Sequence, residues 1–506
     1  MSQGRVVQLY RLFLKPIFWL VLAAVLLAVS SLLDVPMFND EGVWAYIGRI
    51  WADHGLLPYT GAIENKATGI YMLYALSHKL FGANIWFPRL VAIVSILLTG
   101  EIIRRLAKKL SGSARAGIIA LAIFLLTMPL GVVDGASAET ETFMNLFRVL
   151  TFLFVLVAFE RPLKERLWWV LLSGVFFSWA IAFKQLAITD GLPLLFFFYF
   201  LNDKKIRPLI STLLTFAVGA VTGTIISLVP FLISGGNIRD YIDGAWIILT
   251  QSGSSPHSLL SRVSGFFRHF FLESLFLFSV GLLGYLALWK RMKLYLPLAL
   301  PLLVWALTDF VAYNADGWYL GHHFKVFIPS WAVIFGIVAH YVLERLRIIG
   351  NENSGQKIET ELPFVVLLSI LIIFFIPFNR EYYQNVRKFI KGNVHDYSLR
   401  DLGLYARELT APGDYIYVWG FHIGQIYYYS DRLSPSRYFS EPFLGRPGAL
   451  EEVQGDLKKN VPKLIIVPQE KFPLPEWLQR IIEKDYSLFE ERSGHSIYAL
   501  AAVSSP

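Results

Sequence analysis

Apolar runs of about 17 to 25 residues recur along the first three quarters of this 506-residue chain, and a helix of that length crosses a bilayer's hydrocarbon core. A helix also satisfies its own backbone hydrogen bonds, which lipid cannot do for it. The composition agrees: 55% of residues are apolar and only 17% charged, with a mean hydropathy of +0.50, whereas soluble domains carry roughly a quarter charged residues. There is no cysteine. Disulfides, thiolate chemistry and cysteine-ligated metals are therefore excluded.

The net charge of +8 is informative through its placement. From Arg380 onward, 16 basic residues balance 16 acidic ones, so the whole excess lies before that point. There it clusters in alternate gaps between apolar runs: Arg104, Arg105, Lys108, Lys109 and Arg115; Arg161, Lys164 and Arg166; Lys204, Lys205 and Arg207; Lys290, Arg291 and Lys293. This is the pattern of cytoplasmic loops, and it speaks against nucleic acid, which needs the bases on one folded face.

Eleven transmembrane helices are expected, near 17–33, 88–103, 116–133, 142–159, 167–183, 186–201, 209–233, 271–289, 294–312, 325–343 and 362–378. With Arg5, Arg11 and Lys15 inside, this count puts the N-terminus in the cytoplasm and the tail outside a cell or inner membrane. The first run has no small-residue cleavage site and is expected to stay as an anchor. The expected fold class is thus an α-helical polytopic membrane protein with outer-loop amphipathic helices and a small C-terminal extracytoplasmic α/β domain. Its domains would be 1–379 and 380–506. In the tail, alternation predicts strands at 415–420, 463–468 and 495–503, with helices at 397–409, 448–459 and 475–484.

The chemistry-bearing residues gather in the outer gaps. Asp40 and Glu41 follow the first span; adjacent carboxylates there suit a general base or a hard divalent cation, and the plainer alternative is a pair of acids at a helix's positive end. Lys66, in Glu64-Asn65-Lys66, can offer an ammonium to a phosphate at the headgroup plane, or snorkel to lipid headgroups. Asp134, Glu139 and Glu141 surround Ser137 and Thr140 in a pattern that reads as a helix cap for one acid and leaves the others to pair with Lys66 or a metal. His322, His323 and Lys325, with Tyr319 nearby, enter a late span. Neighbouring histidines on a helix diverge, so donation by one of them to a phosphate oxygen is favoured over a two-histidine metal site, with a histidine packed for structure as the equal alternative. The tail aromatics Trp419, Phe421 and Tyr427 to Tyr429 could stack on a glycan, although a half-buried strand explains most of them more simply.

These residues carry a resemblance. FNDEGVWAYIGRIWADHGLLPYTGAIENKATGIYMLYALSHKLFG followed by PRLVAIV resembles the amino-terminal signature of family 39-type glycosyltransferases of the GT-C fold, which include protein mannosyltransferases, the lipid A aminoarabinose transferase and Rgt-type enzymes. SAETETFMNLF and GHHFKVFIPSWAVIFG are similar to further family elements, and GDYIYVWGFHIGQIYYYSDRLSPSRYF resembles the tail of many bacterial members.

The resemblance implies a membrane glycosyltransferase that moves a sugar from a polyprenyl-phosphate monosaccharide to a hydroxyl of a glycan, lipid or protein. Asp40, with Glu41 beside it, takes the place of the catalytic carboxylate. Lys66 takes that of the lysine on the donor phosphate, with Ala67-Thr68 where the family has two prolines. His322, with Arg49 as a further candidate, would bind the same phosphate. Asp134 or Glu139 takes the place of the third loop's acid. No cofactor is required by the pattern, and a divalent metal, magnesium or manganese, would draw oxygen ligands from Asp40, Glu41 and Asp134. Two other readings stand beside this one: a transporter or flippase of lipid-linked sugars, for which Lys184 and Asp309 are the candidate intramembrane charges, and a ligase using a diphosphate-linked oligosaccharide.

Overall fold

The computed structural model describes residues 3–33, 35–135, 137–251, 260, 296–315, 320–354, 362–378, 380–391, 396–421, 423–469 and 473–501. They form two compact units: Met1–Leu33, Arg89–Ile226 and Ser255–Gly392 make one, and Asp34–Pro88, Ser227–Ser254 and Asn393–Pro506 the other.

The first unit is helical. Among the described residues, Thr140–Phe159, Lys164–Phe183, Ile206–Ile233 and Pro297–Asn314 are long and apolar enough to cross a membrane. A fifth span is available if Val7–Phe13 and Pro16–Ser31, bent by 70°, count as one. The span expected at 271–289 lies outside the described residues. Pro16 explains the bend: it disfavours the α conformation at Lys15, which is extended at φ −83°, ψ 114°, and it supplies no N–H to the first helix. The Trp19 indole N–H bridges the break to the Phe13 carbonyl at 2.9 Å.

Packing in this unit uses small residues. A Cβ on Gly174 would lie 2.2 Å from the Phe216 carbonyl oxygen, and one on Gly219 2.1 Å from that of Leu171, so the Leu163–Phe183 and Ile206–Ile233 helices cross backbone to backbone. Between apolar helices in lipid, such close approach replaces the missing hydrophobic drive.

A buried charge network ties four segments of the unit together. Arg148, on the Thr140–Phe159 helix, gives Nε and Nη2 to the two oxygens of Asp190, each at 2.7 Å. It also pairs with Asp309, whose other oxygen accepts from Ser330 Oγ at 2.7 Å. All four residues are at most 1% exposed. Removing one partner of such a network leaves an uncompensated buried charge, at a cost of about 3–5 kcal/mol. Arg148→Met is expected to lower the thermal stability of the detergent-solubilised protein by an amount of that order; an unchanged melting temperature would contradict it.

The second unit contains a four-stranded sheet of order β1-β2-β4-β3, with β1 (Ile416–Val418), β2 (Leu464–Pro468), β3 (Tyr486–Arg492) and β4 (His495–Leu500). β1 pairs parallel to β2, and the other pairings are antiparallel. Helices Ser398–Glu408, Ala449–Lys459 and Glu476–Asp485 stand where the sequence pattern puts them. The strand at Tyr486–Arg492 and the short helix Gly424–Ser430 are additions to that pattern. The core of this unit takes Ile63 and Ile248 in with Tyr417, Val453, Ile465 and Leu478, so segments 34–88 and 227–254 are structural parts of it.

Helix Asn39–His54 is central to the second unit. Its Gly42 touches Gly424 so closely that a Cβ on Gly424 would sit 2.3 Å from the Val43 nitrogen. Overpacking of this kind costs about 1–3 kcal/mol. Gly424→Val is expected to separate the Gly424–Ser430 helix from Asn39–His54, read as earlier protease cleavage within 420–435; a cleavage pattern identical to that of the unsubstituted protein would contradict it.

Candidate functional site

The carboxylate pair opens the Asn39–His54 helix. Glu41 is fully buried and its Oε2 accepts the Phe38 backbone N–H at 2.9 Å. It thereby closes the first turn, where an acid also faces the helix's positive end. Asp40 is half-buried. The chain entering this helix is held from the tail, because the Gln425 amide donates to the Met37 carbonyl at 2.8 Å.

Arg49 is engaged by the tail as well. Its Nη1 donates to the Tyr428 carbonyl at 2.5 Å and its Nη2 meets Asp431 at 2.6 Å, while the guanidinium lies 5.6 Å from the Tyr428 ring centroid. A group pinned on two sides is a helix-to-helix tether first. Nearby, His78 Nε2 lies 2.8 Å from an Asp53 oxygen.

Lys66 sits in a turn fixed on both sides of its Cα. Its N–H donates to Glu64 Oε2 at 3.0 Å and to the Tyr71 hydroxyl at 3.2 Å, and its carbonyl accepts the Tyr59 hydroxyl at 2.8 Å. The Tyr71 hydroxyl donates in turn to Glu64. Burial, then the Glu64 charge, push the Tyr71 hydroxyl well above its usual range, so it keeps its proton and stays a donor. The ammonium reaches Asn65 Oδ1 at 2.7 Å and Glu64 Oε1 at 3.3 Å.

The first unit brings together the other predicted residues. Gly321–Val326 is a 3-10 turn, and the His322 and His323 rings stand 4.5 Å apart and perpendicular. Asp134 takes a left-handed conformation at φ 50°. One of its oxygens accepts the His322 backbone N–H at 2.9 Å and lies 3.1 Å from His322 Nδ1. Lys325, fully buried, donates to the Asp134 carbonyl at 3.0 Å and to the Thr142 hydroxyl at 3.3 Å. Glu141 pairs with Lys184, a partner that sequence spacing could not suggest across 43 residues.

The expected helix cap is different in detail. Glu139 is the residue at the cap position and its side chain does not cap. The Ser137 hydroxyl donates to the Asp134 carbonyl at 2.8 Å and that of Thr140 to Glu141 at 2.8 Å. The loop and the carboxylate thus take hydroxyls that the pattern assigned to the helix end.

One group within this unit could hold a cation: Glu141, His322 and His323 each offer a ligand atom, and these lie within 4.8 Å of one another. Two imidazoles and a carboxylate suit zinc better than magnesium, and the Lys184 ammonium competes for the same carboxylate. Glu139 is buried as well. Tyr319 lies outside the described residues. Of the tail aromatics, Trp419, Tyr427 and Tyr428 are buried, and Tyr427 stacks on Tyr46 at 4.9 Å, so they are core rather than a glycan platform; Phe421 is exposed.

Residues 65–233 match the family described as dolichyl-phosphate-mannose-protein mannosyltransferase. No curated protein matches the sequence. Among solved structures, the chain is similar to ArnT from Cupriavidus metallidurans bound to undecaprenyl phosphate, at 17% identity and TM-score 0.60, covering 97% of this chain and 99% of that one. It is also similar to the Archaeoglobus fulgidus oligosaccharyltransferase tethered with an acceptor peptide, at 13% identity and TM-score 0.58, covering 97% and 74%. A third is the oligosaccharyltransferase AglB from the same organism, in complex with an inhibitory peptide and a dolichol-phosphate, at 13% identity and TM-score 0.56, covering 97% and 75%. The fold is therefore the GT-C fold.

The Asp134 contact has a pH signature. Burial pushes its carboxyl up, but the hydrogen bond and charge of His322, with Lys325, hold it below the usual carboxylate range. A depressed value stabilises the fold above the unfolded pKa of about 3.9 and loses that contribution as pH falls through the lower folded value. Asp134→Asn is expected to lower the melting temperature at neutral pH and to flatten its dependence on pH below about 4; parallel wild-type and variant profiles would refute this.

Proposed function

We propose that the protein is an integral-membrane glycosyltransferase that takes a sugar from a polyprenyl-phosphate monosaccharide and transfers it to a hydroxyl acceptor on the extracytoplasmic side. The observation that carries this reading is the fold: across 97% of the chain it follows a protein crystallised with undecaprenyl phosphate. The family match, which begins at Asn65 beside Lys66, supports it. In this reading all eleven expected helices cross a cell or inner membrane, with the N-terminus in the cytoplasm and residues 380–506 outside. The prenyl chain stays in the bilayer and only the sugar phosphate reaches the polar residues.

The chemistry is a single displacement. Asp40 takes the proton of the acceptor hydroxyl as its oxygen attacks the anomeric carbon, the bond from that carbon to the phosphate oxygen breaks, and polyprenyl phosphate leaves with the electron pair. The anomeric configuration inverts. Lys66 and His322 neutralise the charge that develops on the leaving phosphate. Glu41, closing the helix start, fixes the backbone from which Asp40 projects, and Arg49 holds that helix to the tail. Asp134 orients His322. Should a divalent cation take part, the expected oxygen ligands are Asp40, Glu41 and Asp134, with Glu141, His322 and His323 as a second set that could hold it, and it would supply further charge neutralisation.

For the transporter reading, the two candidate charges each have a structural partner, Lys184 with Glu141 and Asp309 with Arg148 and Ser330. The oligosaccharyltransferase likeness keeps a diphosphate-linked oligosaccharide as the second donor class.

Transfer from a synthetic polyprenyl-phosphate sugar to an envelope-derived acceptor in detergent tests the reading. Asp40→Asn is expected to lower kcat by about 100-fold or more, as loss of a general base does, and Lys66→Gln to lower kcat/KM by about 10 to 100-fold, the loss expected from about 1.5–3 kcal/mol of charge-assisted hydrogen bonding. Full activity in Asp40→Asn would overturn the base assignment. Competition by a diphosphate-linked donor, with no turnover of the monophosphate, would favour the ligase.

A further inference from the structure

The Thr140–Phe159 helix carries a polar stripe on one face. Glu141, Asn145 and Arg148 are spaced i, i+4, i+7, so they lie above one another along it. The lower two reach the Gly321–Val326 turn directly. The Asn145 amide donates to the Lys325 carbonyl at 2.6 Å, and Arg148 Nη1 to the Val326 carbonyl at 2.5 Å. Arg148 Nη1 also reaches Asn145 Oδ1 at 3.1 Å. Those carbonyls end a 3-10 turn of six residues, whose own hydrogen bonds are poorer than those of an α-helix.

We infer that Asn145 and Arg148 are positioning residues for His322: they clamp the end of the turn while Asp134 clamps its start, and so fix the direction of the imidazole. The turn cannot set that direction by itself. Without the two side-chain donors, the Lys325 and Val326 carbonyls would each lose a buried hydrogen bond, which favours rearrangement of the turn. Asp190 and Asp309 hold the guanidinium from the opposite side, leaving its Nη1 edge aimed at the turn. The inference rests on the reading of His322 as a group on the donor phosphate, and it names what holds that group in place.

Two measurements on the full-length protein test it. In Asn145→Ala, backbone amide exchange of the peptide covering 320–327 is expected to quicken by about tenfold or more, while peptides from 140–159 keep their protection. Unchanged exchange at 320–327, or loss of protection throughout, would overturn the inference whatever His322 does. Kinetics give the second measurement. Asn145→Ala and His322→Ala are each expected to lower kcat/KM about tenfold, and the double variant to match His322→Ala within about twofold, because residues acting through one another are not additive. A double variant impaired by the product of the two single effects would overturn the inference. If His322→Ala alone retains full activity, the phosphate role of His322 falls, and the exchange measurement still decides whether Asn145 holds the turn.

Discussion

A guanidinium with two carboxylates around it, buried to 1% or less, is the constraint on which the helical unit depends. Desolvating an ion costs several kcal/mol unless its partners surround it in good geometry, and Arg148 can be surrounded only if the 185–190 turn, the Leu296–Ala315 helix and the Ile328–Ser354 helix all come to it. Hydrophobic packing among Leu, Ile and Phe tolerates rotation and sliding of these helices. The bidentate pair with Asp190 does not, since both oxygens must meet two nitrogens of one planar fork. The network therefore sets register in a bundle whose apolar surfaces alone would leave it loosely specified.

The second unit solves a different problem. A helix with Asp40 at its second residue and Glu41 at its third would fray at its start unless the first turn were closed and covered. Glu41 closes it through the Phe38 N–H. Gly42 lets the tail helix lie directly on it, and Arg49 fastens the same two helices further along through Asp431 and the Tyr428 carbonyl. Glu41 and Arg49 are thereby drawn into structure, while Asp40 keeps part of its surface open. Two adjacent acids of the same chemistry are separated by where a helix begins.

Much of this is legible in the sequence because it is periodic or local. The apolar runs around 142–159, 167–183 and 209–233 form helices, and alternation locates β1, β2 and β4. β3 escapes the pattern because most of its residues are exposed and its sequence, YSLFEER, follows a helix through Asp485 without a break; the turn at Ser493 and Gly494, both at positive φ, is the signal that marks the hairpin. The site is legible in residue type but not in pairing. Lys184 with Glu141 and Arg148 with Asp309 join positions 43 and 161 apart, and no spacing rule reaches that far. Neighbouring histidines diverge on an α-helix; on a 3-10 turn, with Glu141 beside them, both rings of His322 and His323 face a common neighbourhood.

The turn around Lys66 shows how one requirement on a loop can be met by different chemistry. Two prolines after the lysine, as the family resemblance has it, would stiffen the chain by restricting its unfolded conformations. Ala67 and Thr68 cannot do that. Here stiffness comes from the folded state: Tyr59 takes the Lys66 carbonyl, Glu64 and Tyr71 share its N–H, and Tyr71 holds Glu64. The Glu64 carboxylate serves two ends, since it also lies 3.3 Å from the ammonium. That is longer than the roughly 2.7–2.9 Å of a strong charge-assisted bond, so Glu64 balances the lysine's charge while Asn65 Oδ1, at 2.7 Å, makes the shorter contact. The same neighbours place the ammonium, so side-chain hydrogen bonds do for this turn what two prolines would do through the unfolded chain.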